Sequence, residues 1–169
     1  MRAVTINSGC VMRAWYDIVT PDFTQRREDE EGVRLSSLQI EALISRENAR
    51  GIADEQIVLA GFSQGGAIAL HTGLRHRGRL AGILALSTYV PLINTLNGEA
   101  HITNSDVPIH MAHGMDDEVI PYAFGKRSGD VLMARGYPLE WHGYAREHAV
   151  CVEELLDIET WLARVLTVA

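Results

Sequence analysis

The 169-residue sequence predicts an α/β domain, a mostly parallel sheet flanked by helices. Three observations carry that expectation. From residue 33 onward, short apolar runs alternate with stretches of helical period, the pattern of βαβ units. One junction between such a run and the next helix carries a Gly-x-Ser-x-Gly pattern. No repeat, low-complexity stretch or linker divides the chain, so residues 1–169 are read as a single domain.

The elements follow in order. Val33, Leu35, Leu38, Ala42 and Leu43 lie near helical spacing, and Gly51 closes that helix. The acidic run Glu28-Asp29-Glu30-Glu31 reads as its first turn, where the helix dipole favours negative charge. Ile57-Val58-Leu59-Ala60 is a short apolar run, expected to be a strand buried on both faces. A helix is expected from about Gln64 to His76, then a strand from Leu80 to Leu86 and another from Val107 to Ala112. Val119 to Arg135 reads as a helix ending at Gly136, Pro138 to Tyr144 as a strand, and Val150 to Leu166 as the last helix. In parallel sheets ligands bind beyond the carboxyl ends of the strands, so the loops there are where chemistry is sought.

Composition narrows the partners. Apolar residues make up 47% and the formal charge is −7. Nucleic-acid binding depends on Lys and Arg neutralising phosphates, so no nucleic-acid partner is expected. Cys10 and Cys151 give neither a disulfide framework nor a metal-ligand spacing. The residues from Met1 lack the apolar core of a signal peptide. The longest apolar stretch, Leu80 to Ile93, falls short of a membrane span. A cytoplasmic protein without a metal or other cofactor is the expectation.

The chemistry centres on Gly61-Phe62-Ser63-Gln64-Gly65-Gly66. A strand turning at once into a helix forces the serine into a strained conformation and pushes its hydroxyl out of the sheet. Glycines two positions either side are expected to remove colliding side chains there. The start of the following helix can hold an oxyanion, and the backbone N–H of Gln64 is the donor that can be identified. A serine needs a base and an acid to orient that base, and in this fold class they follow in the order Ser, Asp, His. Asp116 and Asp117 both fall in the loop after the third strand, and either could instead cap a helix.

Seven histidines compete for the role of base. His71 and His76 fall in the helix behind Ser63, His101 in a polar loop, and His110 and His142 inside strands. His113 ends a strand beside the aspartates. His148 is alone in the loop after the last strand, where its ring can hang over the sheet towards Ser63, and it is the candidate.

These segments resemble a known family, the small bacterial carboxylesterases and lysophospholipases related to acyl-protein thioesterases, within the α/β-hydrolase superfamily. The resemblance rests on Ile57-Val58-Leu59-Ala60-Gly61-Phe62-Ser63-Gln64-Gly65-Gly66-Ala67 after Gly51-Ile52, and on Leu80 to Ser87. It continues with His113-Gly114 through Asp117 to Pro121, and with His148; upstream, Val4-Thr5-Ile6-Asn7 and Trp15-Tyr16-Asp17 are also similar. The family pattern His-Gly-x-x-Asp implies that Asp117, not Asp116, is the acid. The implied activity is hydrolysis of carboxylic esters or thioesters through an acyl-enzyme. Short- to medium-chain acyl esters, lysophospholipids and S-acylated proteins are all substrates that the resemblance allows. Tyr89, Pro91 and Leu92 are candidates to line an acyl pocket, with ordinary loop packing an equal alternative.

One departure stands out. The family's early strands, and the His-Gly-x-Gly loop that supplies a second oxyanion donor, have no counterpart in this sequence. The expectation is an N-terminally incomplete α/β-hydrolase domain with weak activity. It is also expected to be a homo-oligomer, joined through an unpaired apolar edge at Ile57 to Ala60. The rival is a non-catalytic remnant that binds or merely folds.

Overall fold

The computed structural model describes residues 1–20 and 27–167. The chain opens with an antiparallel hairpin of β1 (Arg2–Val4) and β2 (Cys10–Met12), turned by a short 3₁₀ segment. Ser8 and Gly9 close that turn with φ of 55° and 72°, the left-handed region where glycine is unstrained. Helix α1 (Glu30–Ala49) starts at Asp29, whose carboxylate accepts the Gly32 N–H at 2.9 Å, with Glu30 and Glu31 in its first turn. Arg50 caps its other end and Gly51 follows at φ +92°.

Then come β3 (Val58–Phe62), α2 (Gln64–Gly73), β4 (Gly82–Leu86), the one-turn α3 (Leu96–Glu99), β5 (Ile109–Gly114), α4 (Tyr122–Ala134), β6 (Leu139–Tyr144) and α5 (Val152–Thr167). The four later strands form one parallel sheet in the order β3-β4-β5-β6. This is the alternation read from the sequence, but every strand begins one or two residues later than expected, and β3 and β5 also run two residues further. Gly61-Phe62 and His113-Gly114 pair with Ala85-Leu86 and Gly143-Tyr144, so the glycines belong to the strands, not to the loops after them. Helix α2 is shorter than expected. The Arg75 and His76 N–H groups both turn back to the Thr72 carbonyl, which leaves His76 beyond the helix.

Alternation sorts the strand residues onto two faces. Leu59, Ile83, Ala85, Ile109 and Met111 form one core with Ile44 of α1, Leu70 of α2 and Leu132 of α4. Leu84, Leu86 and Ala112 face the other way, onto Ile158 and Trp161 of α5. The expectation that Ile57 to Ala60 is buried on both faces is corrected. Leu59 is buried, whereas Ala60 and Phe62 are exposed. The reason is position: β3 is an outer strand, and α5 packs over β5 rather than over the end of β3. Among the described residues, no helix is long and apolar enough to cross a membrane.

Candidate active site

Ser63 links β3 to α2 with φ 54° and ψ −124°, a conformation that costs a non-glycine residue on the order of 1–3 kcal/mol. The surroundings hold it there. Its N–H donates to the Leu86 carbonyl at 2.8 Å, and its own carbonyl accepts from Thr88 Oγ1 at 2.7 Å and the Ala67 N–H at 3.1 Å. A serine at this position would ordinarily cap the helix with its hydroxyl. Here the side chain makes no capping bond, and Oγ is left for other work.

The glycines divide the task unequally. A Cβ on Gly61 would lie 2.2 Å from the Gly65 carbonyl carbon, and one on Gly66 would lie 2.8 Å from both the Gly61 carbonyl oxygen and Thr88. A Cβ on Gly65 would meet only Trp15 Nε1, at an ordinary 3.6 Å. The expectation that both flanking glycines clear space is therefore corrected: Gly61 and Gly66 are the close approaches, and Gly65 matters through its backbone.

Three side chains from separate loops meet at this turn. Ser63 Oγ lies 3.0 Å from His148 Nε2, and His148 Nδ1 lies 2.7 Å from Asp117 Oδ2. A carboxylate only accepts, so Nδ1 carries the proton and Nε2 is left to accept from the serine hydroxyl. The other carboxylate oxygen, Oδ1, accepts the N–H groups of Val119 and Ile120, both at 2.8 Å. Asp117 thus sits with its side chain fully enclosed, while His148 keeps a 17% exposed edge. Asp116 is exposed and joins the structure through its N–H to the Arg146 carbonyl.

The sequence reading missed several contributors. The Phe62 ring lies 4.7 Å from the His148 ring, tilted by 51°, so the residue before the serine packs against the imidazole. The Gln64 side chain takes the Trp15 N–H on Oε1 at 3.1 Å and gives Nε2 to the Tyr16 carbonyl at 3.0 Å, tying residues 15–16 over the start of α2. Its backbone N–H is the first of the helix and has no carbonyl inside the helix to bond.

Tyr89, Pro91 and Leu92, candidates for an acyl pocket, are buried, and Tyr89 and Leu92 pack with Tyr16, Val33 and Ile68. Loop packing accounts for them. The other histidines lie apart from Ser63: His71 is buried in α2, His76 sits between Glu41 and Asp54, and His101 starts a 3₁₀ turn.

His110, Glu140 and His142 form a cluster on the α5 face, the one group of metal-ligating type found among the described residues. The two imidazoles stack at 4.5 Å with planes only 18° apart. In-plane lone pairs of near-parallel, stacked rings do not converge on one ion, and Arg164 already pairs with Glu140. The cluster does not fit a metal.

Comparison with known proteins shows the family. The phospholipase/carboxylesterase family pattern matches residues 1–166. The chain is 37% identical to acyl-protein thioesterase 1 of Yarrowia lipolytica over 162 residues, 94% of this chain and 71% of the relative. It is 39% identical to acyl-protein thioesterase 1 of Neurospora crassa over 168 residues, 94% of this chain and 68% of the relative. The crystal structure of SOBER1 from Arabidopsis thaliana superimposes with a TM-score of 0.92 at 31% identity, covering 98% of this chain and 80% of that one. Acyl-protein thioesterase 2 of Zea mays follows at 0.86 and 28%, covering 98% and 78%. These relatives are fungal and plant proteins, and they share the family without narrowing it to its bacterial members.

Proposed function

The chain belongs to the phospholipase/carboxylesterase family of α/β-hydrolases, enzymes that cleave carboxylic esters or thioesters, and from that premise we propose that Ser63, His148 and Asp117 are its catalytic triad. The observation that carries the reading is the unbroken relay from Ser63 Oγ through His148 to Asp117 Oδ2. Ser63 attacks the acyl carbon while His148 Nε2 takes its proton, and Asp117 steadies the imidazolium that results. The oxyanion of the tetrahedral intermediate points to the Gln64 N–H, a donor of a kind whose loss typically costs about 10²–10³ in turnover. His148 then protonates the departing alkoxide or thiolate. Water repeats the sequence on the acyl-enzyme and releases the acid.

The substrate within this class is an S-acyl thioester of a protein or a small acyl ester. Two of the most similar relatives are named for acyl-protein thioesterase activity, which favours the first. The test is a fluorophosphonate probe together with hydrolysis of p-nitrophenyl esters and an S-acylated peptide. The expected outcome is a single label on Ser63, with label and turnover both lost in Ser63→Ala. Labelling at another residue, or turnover that survives in Ser63→Ala, overturns the reading.

A further inference from the structure

His113 is one of the buried polar groups that the relay above leaves unused. It is the last residue but one of β5, four residues before Asp117, and both side chains are fully enclosed. Its Nε2 lies 2.8 Å from the Ile120 carbonyl oxygen, and the same nitrogen is flanked at 3.2 Å by Asp117 Oδ2. Both neighbours can only accept, so Nε2 bears the proton. Among the described residues, Nδ1 has no hydrogen-bond partner. The cavity is shaped for an uncharged ring: Trp141 stacks on it at 6.0 Å, Tyr122 meets it edge-on, and Gly125 of α4 leaves room that a Cβ would fill, 2.4 Å from Nδ1. Burial, the largest influence, pushes the His113 pKa below its ordinary value, against the pull of the Ile120 carbonyl and the Asp117 charge.

The contacts close a ring. His113 Nε2–H holds the Ile120 carbonyl, the Ile120 N–H holds Asp117 Oδ1, and Asp117 Oδ2 returns to the edge of His113 while accepting from His148. We infer that His113 is a positioning residue for the acid of the triad: as a neutral Nε2–H tautomer it fixes the 117–120 loop and shares the carboxylate oxygen that His148 uses. The inference rests on the triad reading. Among the described residues, the titratable groups facing His113 are the carboxylate of Asp117, the imidazole of His148 and the phenol of Tyr122.

Removing the N–H leaves Oδ2 to His148 alone. The carboxylate's charge then acts on the imidazolium formed during the reaction without that competing donor. His113→Leu should lower kcat by about 10- to 100-fold with KM little changed, since a hydrogen bond beside a buried charge is lost. The acid limb of its kcat/KM profile should move to higher pH. His113→Gln, which can still offer an N–H to Ile120, should recover most of both. Wild-type kcat and pH profile in His113→Leu, or a loss that Gln does not relieve, overturns the inference. Ring-nitrogen NMR of the unaltered protein decides the matter should the Leu variant not fold: a neutral Nε2–H tautomer at pH 7 and above is expected, and an Nδ1–H or doubly protonated ring there overturns it. Ser63→Ala and His148→Ala in the same assay keep the two readings distinguishable. If they stay active the triad reading fails; if they are dead while His113→Leu is unaffected, only the present inference fails.

Discussion

Thr88 Oγ1 donates to the carbonyl of Ser63 at 2.7 Å, so a residue on the loop after β4 holds the backbone of the proposed nucleophile at the end of β3. The same threonine's methyl group lies where a Cβ on Gly66 would have to go. One side chain thus supports the strained turn and sets the approach of α2. Thr88→Val keeps the methyl contact and the volume but removes the donor. It should cost about 1 kcal/mol, the usual net worth of a buried hydrogen bond, because Ser63 O keeps its bond from Ala67. Thermal denaturation should show a Tm lower by about 2–4 °C for a chain of this size. Ester turnover should fall several-fold as the turn loosens. An unchanged Tm would show that the turn is held by its other bonds alone.

The three glycines of the turn make a sharper test, since the sequence pattern alone ranks Gly61 and Gly65 together. Gly61→Ala drives a methyl into backbone and should abolish the soluble fold or the turn. Gly66→Ala should cost several kcal/mol for the same reason. Gly65→Ala has room and sits in the first turn of α2, where alanine is favoured over glycine by up to about 1 kcal/mol. Its Tm should equal or exceed that of the parent. Equal losses at all three positions would refute the distinction drawn from the close contacts.

Ser63, His148 and the pair Asp116 and Asp117 are legible in the amino-acid sequence because each occupies a loop after a strand, and parallel alternation sends those loops to one edge; the choice of Asp117 rests on the family resemblance. The partners that set their geometry are not. Phe62 meets His148 from a distant part of the chain, Thr88 reaches back to Ser63, and His113 closes on Ile120; none of these contacts leaves a local pattern. The strand limits are blurred for a related reason. Leu80 and Val107 are buried core residues outside the ladders, so the apolar run begins before the strand does. The glycines at 61 and 114 suggest loops although the backbone there is still paired.

The neighbouring aspartates should separate cleanly. Asp117→Asn keeps the shape but can present an amide N–H to His148 Nδ1, which favours the wrong tautomer. A fall in kcat of roughly 10⁴ is expected, the scale seen when a triad acid becomes its amide. Asp116 is exposed and is tied in by its backbone, so Asp116→Asn should change kcat less than about threefold. Steady-state kinetics on both variants checks this, and the opposite ranking would move the acid to Asp116.

Acid should unfold the protein well before the carboxylates that stabilise it are neutralised. His71 and His110 are 2% and 0% exposed, and burial, the leading cause in both, pushes each pKa from 6.5 to about 4. Positive charge on Arg75 adds to the effect at His71, and His142 adds to it at His110. In the unfolded chain the same rings take up protons near pH 6.5, so between pH 6.5 and 4 the unfolded state binds more protons than the folded one. Stability must then fall as pH falls. It is fully present above about pH 6.5 and lost towards pH 4, at about 3 kcal/mol per ring over the whole window. Glu154 works the other way, because burial raises its pKa and the folded state takes up its proton more readily. Glu99, held near 2 by Arg34, Thr95 and Arg75 against the opposing pull of burial, begins to lose its contribution near pH 4.5, at the lower end of the window, and loses most of it below. Urea denaturation at pH 7, 6, 5 and 4 should therefore show a midpoint that drops steeply below pH 6.5. His110→Leu, which removes one of the two rings without opening the core to charge, should have a visibly shallower dependence. A parent midpoint that stays flat from pH 6.5 to 4.5, or an equal slope in His110→Leu, would show that these rings take up protons without unfolding the chain around them.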